Sequence, residues 1–141
     1  MIRLLIIITA ILIATTTLAD NRYEVGGFDD DKAVGIFAAK FKEAVASNDK
    51  NTVAAMVFYP IEATLNGKTV IINNEHEFIR LYADIFDKNL LNKIANSDTH
   101  NMFSNYQGVM LGDGEAWFSM ENGNIKVVAV GVCRRYYPDT K

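Results

Sequence analysis

Apolar and polar positions alternate along this chain in recognisably different rhythms. From Lys32 to Ser47, the apolar residues Val34, Phe37, Ala38, Phe41, Ala44 and Val45 recur at i, i+3, i+4 and i+7, with Lys40, Lys42 and Glu43 on the other side. That period predicts an amphipathic helix. Asn48-Asp49 marks a turn and cap, and Asn51 to Tyr59 predicts a second, shorter helix closed by Pro60. Ile61 to Leu65 and Thr69 to Ile72 are strand-like, joined by Asn66-Gly67, a strong hairpin dipeptide. Ile61, Ala63 and Leu65 should face one way, with Glu62 and Thr64 the other.

The helical period returns from Glu75 to Phe86 in Phe78, Leu81, Tyr82, Ile85 and Phe86. It continues or restarts through Leu90, Leu91 and Ile94, with a break near Asp87 to Asn89. After the polar loop Asn96 to Asn101, three strand-like runs follow: Gln107 to Leu111, Glu115 to Met120 and Ile125 to Val132. Asp113-Gly114 and Asn122-Gly123 separate them, which predicts an antiparallel meander. The last run is nearly all apolar, as suits a central strand covered on both faces. The expected fold class is α+β, with helices on one face of an antiparallel sheet in the order α-α-β-β-α-β-β-β.

The N-terminus has a different character. Arg3 precedes the almost wholly apolar run Leu4 to Ile13, and small residues at Thr17 and Ala19 precede Asp20. These are the three zones of a cleavable export signal. The ten-residue apolar run is short for a bilayer core, which takes about 20 residues. The expected organisation is a signal peptide at 1–19, an irregular lead-in at 20–31, one domain at 32–137 and a tail at 138–141. The expected location is periplasmic or secreted, with no membrane attachment after a cut behind Ala19.

Composition narrows the partners. The formal net charge is −3, and −4 once Arg3 leaves with the signal. A mildly acidic domain without basic clusters is a poor match for nucleic acid or an anionic membrane. The one cysteine, Cys133, allows no internal disulfide, so stability must come from packing. It reads as a thiol at the core edge, with an intermolecular disulfide or a reactive thiol as the alternatives.

No metal site or cofactor is expected. Glu75-His76-Glu77 lies at the start of a helix, where consecutive side chains diverge, and no second histidine follows at i+3 or i+4. The acidic triplet Asp29-Asp30-Asp31 lacks the alternate spacing of a calcium loop. It suits capping of the first helix. Phosphate-loop, dinucleotide and nucleophile-elbow motifs are absent. The aromatics Tyr59, Tyr82, Tyr106 and Trp117 lie at element ends or on half-buried faces, where they could ring a ligand pocket together with Glu115. Glu115, Trp117 and Ser119 alternate against Ala116, Phe118 and Met120. Trp117 on that more polar side lines a cavity or sits in the core with its N–H satisfied.

In combination, several features resemble the nuclear transport factor 2-like (cystatin-like) superfamily in its small exported bacterial members. They are Phe37 and Phe41 on the first helix, Tyr59-Pro60, the Asn66-Gly67 hairpin, Phe78, Tyr82 and Phe86 on the third helix, and Gly108-Val-Met-Leu-Gly112-Asp-Gly114 with Trp117. The resemblance covers roughly 32–132. It implies a strongly curved sheet forming a cone with a pocket at its open end, and a homodimer through the outer sheet face.

The resemblance also suggests chemistry to test. An isomerase-like acid would fall at Glu62, but the first helix offers Phe37 and Phe41 where a hydroxyl donor would be wanted. A dehydratase-like His–Asp pair would be His100 with Asp98, two residues apart in a polar loop. Solvated strand and loop residues are the plainer readings of both. The preferred function is therefore an exported non-catalytic binding domain. It would hold a small apolar molecule or contact a protein partner, as an immunity or inhibitor protein does. The alternatives are a small acid–base enzyme on an apolar substrate and an accessory subunit of an envelope assembly.

Overall fold

A computed structural model of the protein describes residues 21–132. The expected signal peptide 1–19, Cys133 and the tail 138–141 lie outside the described residues. The lead-in makes one 3-10 turn, Glu24–Gly26. Then come α1 (Asp31–Ala46), α2 (Lys50–Met56), β1 (Val57–Leu65), β2 (Lys68–Ile72), α3 (Glu75–Ile85), α4 (Lys88–Asn96), β3 (Phe103–Asn105), β4 (Gly108–Leu111), β5 (Ala116–Glu121) and β6 (Asn124–Val130).

Each helix starts where a short polar side chain accepts its first free N–H groups. Asp30 caps α1 through Lys32 N and Ala33 N, as the acidic triplet suggests. Asp31 turns back instead and accepts from the Arg22 and Tyr23 N–H groups, fastening the lead-in to α1. Asp49, Asn74 and Asp87 cap α2, α3 and α4. The cap at Asp87 divides the long third helical pattern into two helices, so the described residues contain four helices rather than three.

The second helix is shorter than its apolar pattern predicts. It ends at Met56, and Val57 to Tyr59 join β1. A β-branched residue followed by two aromatics suits a pleated surface, and Val57 finds a partner in Val127 of β6. Pro60 has no N–H for a ladder. It falls where the β1–β6 register shifts, between Val57 and Glu62, which is where a strand tolerates proline.

The six strands run β2-β1-β6-β5-β4-β3. All pairs are antiparallel except β1 with β6, so the sheet is mixed, not purely antiparallel. The helices and meander between them supply the crossover that a parallel pair needs. β6 lies at the centre with Val127, Ala129 and Val130 buried, as its apolar run predicts. The strand β3 does not figure in the sequence reading, because three residues are too few to show a period.

The sheet is not strongly curled, in contrast to the cone that the family resemblance implies. Rolling a sheet up takes cumulative stagger between strands. Here the register shifts only between Val57 and Glu62 and between Trp117 and Phe118. The edge strands β2 and β3 each keep a single neighbour.

One face of the sheet carries the row Ser104, Val109, Phe118, Val127 and Val57. Phe118 meets Phe37 and Phe41 of α1 edge-on, with ring centroids 5.2 and 5.6 Å apart, so this face receives the helices. Phe78, Tyr82 and Phe86 continue the aromatic layer, and Tyr59 packs on Phe78 at 6.1 Å. The opposite face carries the row Phe103, Met110, Trp117, Ala129, Glu62 and Ile71.

Candidate functional site

The five residues expected to ring a pocket are distributed over three places. Tyr59 and Tyr82 belong to the helix-side core beside Phe78. The Tyr59 hydroxyl donates to the Ala54 carbonyl at 3.0 Å, whereas the Tyr82 hydroxyl is buried without a partner among the described residues. Burial raises both phenols, with a smaller push from the Glu75 carboxylate on Tyr59 and from Asp49 on Tyr82; the latter reaches about 12. Trp117 is on the opposite face at 1 % exposure, with no partner for its indole N–H among the described residues. Tyr106, at 67 % exposure, stands at the β3–β4 turn in solvent.

Glu62 shares the outward row with Trp117, with Ala129 between them. His100 and Asp98 do touch, but the contact runs from the His100 backbone N–H to Asp98 Oδ1 at 2.8 Å. That bond is the main reason the Asp98 carboxyl lies below the usual range. It shapes the loop and leaves the imidazole out.

Of the five residues expected to ring a pocket, Glu115 is the one that lines a cleft. It is the only charged residue buried among the described residues, at 7 % exposure. The cleft, about 210 Å³, lies where the α3–α4 corner meets the ends of the central strands. Asp87, Leu90 and Lys93 form one wall, and Asp113 and Glu115 form the other. A second hollow of about 410 Å³ continues past the same Lys93, Asp113 and Glu115 towards Ser97 and Asp98.

The floor is well fastened. Thr64 Oγ1 donates to the Gly131 carbonyl at 2.8 Å, and Gly131 N donates to the Glu115 carbonyl at 2.9 Å. These bonds tie the end of β1, the start of β5 and the end of β6 into one rim. Glu115 Oε2 accepts from Asp113 N at 2.6 Å, which holds the turn closed. Oε1 receives no hydrogen bond from any described residue, and it is not one of the buried atoms left without a partner, so it reaches solvent. The carboxylate occupies the space beside Gly112, where an added Cβ would fall 1.8 Å from Oε2 and 2.6 Å from Ser97 Oγ. Lys93 makes no ion pair with a described carboxylate; the pair that does form between described residues is Arg80–Glu77, at 3.8 Å on the surface of α3.

A larger hollow of about 450 Å³ separates the lead-in from α1 and includes Arg22, Asp31 and His100. The side chains of Arg22, Tyr23 and Asp31 are already engaged. Arg22 donates to the His100 carbonyl and to Asn101 Oδ1, and the Tyr23 hydroxyl accepts from Met102 N. It reads as the seam where the lead-in is fastened down.

No cluster of three or more His, Cys, Asp or Glu among the described residues is arranged to hold a metal ion. No described helix is long and apolar enough to cross a membrane. Comparison with family models, with curated proteins and with solved structures gives no match.

The sequence signal for Asp87 and Lys93 was only that of a helix break and a helix surface. Their approach to Glu115 depends on how α4 turns back over the strand ends, which no local pattern encodes.

Proposed function

We propose that this protein is a binding domain whose ligand occupies the cleft floored by Glu115. The observation that carries this reading is the half-used carboxylate. Burying a charge is costly unless its oxygens are satisfied. One oxygen closes the β4–β5 turn, and the other, bonded to no described residue, can accept from a group that enters the cleft. Neither histidine nor cysteine lines the cleft among the described residues, and its one basic group is Lys93. That composition favours holding a ligand over moving its protons.

Replacing Glu115 with Gln tests this. The amide oxygen can still accept from Asp113 N, so the fold is expected to stay within about 1 kcal/mol of the wild type. Retained ligand, measured by native mass spectrometry of protein taken from its own host, should fall. A variant that retains the same ligand at the same occupancy would remove Glu115 from the site.

We further propose that the domain works outside the cytoplasm, on the strength of the Arg3, Leu4–Ile13 and Thr17-Leu-Ala19 pattern. The expected mature protein begins at Asp20. Intact-mass measurement showing Met1 on the active, cytosolic protein would overturn this. The resemblance to the nuclear transport factor 2-like superfamily remains a proposal about ancestry. The helix, hairpin, helix and meander order supports it, and the open sheet weighs against it.

A homodimer through the outward sheet face is proposed on the row that runs from Phe103 to Ile71, whose two ends are 55 % and 53 % exposed. Sedimentation of Phe103→Glu should show monomer where the wild type shows dimer.

A further inference from the structure

We propose that the segment 133–137 folds back over the outward face of the sheet, covers Trp117 and Ala129, and places one of its two arginines on Glu62. The case begins with burial that the described elements do not account for. Trp117 on β5 and Ala129 on β6 are neighbours in the outward row, at 1 % and 0 % exposure. The helices pack on the other face, around Phe118. The core built there takes in Phe118, Val127 and Val130 and does not extend to Trp117 or Ala129. An indole lying on an uncovered sheet keeps one ring face in water, and tryptophan is rarely buried completely even in cores. Something therefore lies over these two residues. The burial is found within a single chain, so a second copy is not what provides it.

Two stretches of chain lie beyond the described residues, and they arrive from different sides. The lead-in packs on the helix side. A Cβ on Gly26 would lie 2.8 Å from Ser104 Oγ, in the helix-side row, and Arg22 is fastened to the loop before β3. What precedes the lead-in enters at the far edge of the sheet and is the proposed export signal. The C-terminal stretch instead leaves from β6 itself. Gly131 has a φ of +65°, which takes the chain out of the strand. Its N–H is held by the Glu115 carbonyl and its own carbonyl by Thr64 Oγ1. The exit is thus fixed two residues beyond Ala129, between β1 and β5. Neighbouring strands are about 4.8 Å apart, and five residues extend up to about 17 Å. The segment 133–137 therefore reaches Trp117 on one side of β6 and Glu62 on the other.

The composition of the segment, Cys-Arg-Arg-Tyr-Tyr, fits that face. In the row Glu62, Ala129, Trp117, the small middle residue leaves a trough between a carboxylate and an indole. Glu62 is itself engaged. Arg134 and Arg135 offer guanidinium groups for that carboxylate, on long apolar stems that lie well along a sheet. A guanidinium also suits the face of an indole. Tyr136 and Tyr137 add rings that cover apolar surface while keeping a polar tip. The ends of the row, Phe103 and Ile71, lie outside the trough and are exposed, so the dimer contact proposed above is a separate matter.

Trp117 is the one tryptophan in the chain, so its fluorescence reports this face alone. The test is acrylamide quenching of the protein beginning at Asp20, with near-ultraviolet circular dichroism as the control for folding. Trp117 of the wild type is expected to be shielded. The paired substitution Arg134→Gln and Arg135→Gln should raise the quenching constant several-fold and move the emission to the red. Glu62→Gln should do the same. Combining all three should add little, because they break one shared contact. A second measurement stands in where a variant loses its dichroism. A nitroxide on Asp139→Cys, in a Cys133→Ser background that keeps both arginines, should broaden the Trp117 indole and Ala129 amide signals before those of α1.

Unchanged quenching in the paired arginine variant overturns the inference, as does a nitroxide that leaves the outward row sharp. Ready quenching of the chain from Asp20 with shielding of the chain from Met1 gives the cover to the N-terminal stretch and overturns it too. Shielding that appears only as protein concentration rises gives the cover to a second copy. That result sinks the folded-back segment and favours the dimer.

Discussion

Gly112 and Glu115 compete for one small volume, and that competition sets what either residue can be. Gly112 has a φ of +61°, and a methyl group there would also overlap Glu115 Oε2. Gly112→Ala should cost about 1–3 kcal/mol in urea unfolding. In a Glu115→Ala background the cost should shrink to the backbone component and the Ser97 Oγ contact, a coupling that a double-mutant cycle reads directly. Gly108 presents a harder case. Its φ is +127°, and its missing Cβ would lie 2.1 Å from the Phe118 carbonyl oxygen on the next strand. Backbone cannot swing aside as a side-chain tip can, so Gly108→Ala should be the more damaging of the two.

Tyr59 and Tyr82 carry the main pH dependence at the alkaline end. Their phenols are raised by burial, Tyr82 to about 12, so the fold favours the neutral hydroxyl. Stability from this source is intact below the ordinary tyrosine value near 10 and is lost as pH climbs towards and past 12. Absorbance at 295 nm should show delayed ionisation that coincides with loss of near-ultraviolet circular dichroism. Ionisation of every tyrosine near pH 10 in a still-folded protein would contradict the burial of this pair.

At the scale of the elements, the caps explain where helices begin more reliably than the apolar stripes explain where they end. Asn74 accepts from Glu77 N at 2.9 Å, while the Glu77 carboxylate reaches back to Asn73 N at the same distance. Asn74→Ala is expected to lower stability by about 1 kcal/mol, measured as a drop in Tm. Asp49 caps α2 in the same way, and its carboxyl is lowered chiefly by the Thr52 hydroxyl. Its contribution is present above the ordinary aspartate value and fades as pH falls through the lowered one.

These polar residues precede apolar periods, so α1, α3 and the hairpin around Asn66-Gly67 were legible in the chain. The boundary at Met56 and Val57 was not. Val53, Ala54, Met56 and Val57 are buried on both sides of the boundary, and the long-range partner Val127 marks where helix gives way to strand. Glu115 was legible as a candidate through its alternation with Trp117 and Ser119 on the more polar side of the strand run. Its neighbours Asp87 and Lys93 come from a helix whose final position depends on tertiary packing.

At the scale of the whole molecule, the face rows account for the rest of the comparison. The alternation at Trp117 correctly separates it from Phe118, but alternation cannot say which face the helices will cover. The aromatic contacts of Phe118 with Phe37 and Phe41 settle that the helices take the Phe118 side. Tyr59 and Trp117 therefore lie on opposite sides of one layer. Phe118→Ala, which removes a ring held by two others, should cost about 3–5 kcal/mol in the same unfolding assay.

The parallel pairing of β1 with β6 has a consequence in time. Val57 meets Val127 about 70 residues later in the chain. A polypeptide made from its N-terminus forward must keep β1, bordered only by β2, waiting until nearly the last described residue has emerged. During that wait the hydrogen-bonding edge of β1 is open and its apolar side chains lack their cover, the condition under which strands find wrong partners. Loop closure over such a distance also slows the productive encounter. The price of a central strand supplied last is that the β1–β2 hairpin and the β3–β4–β5 meander stay two separate pieces until β6 joins them.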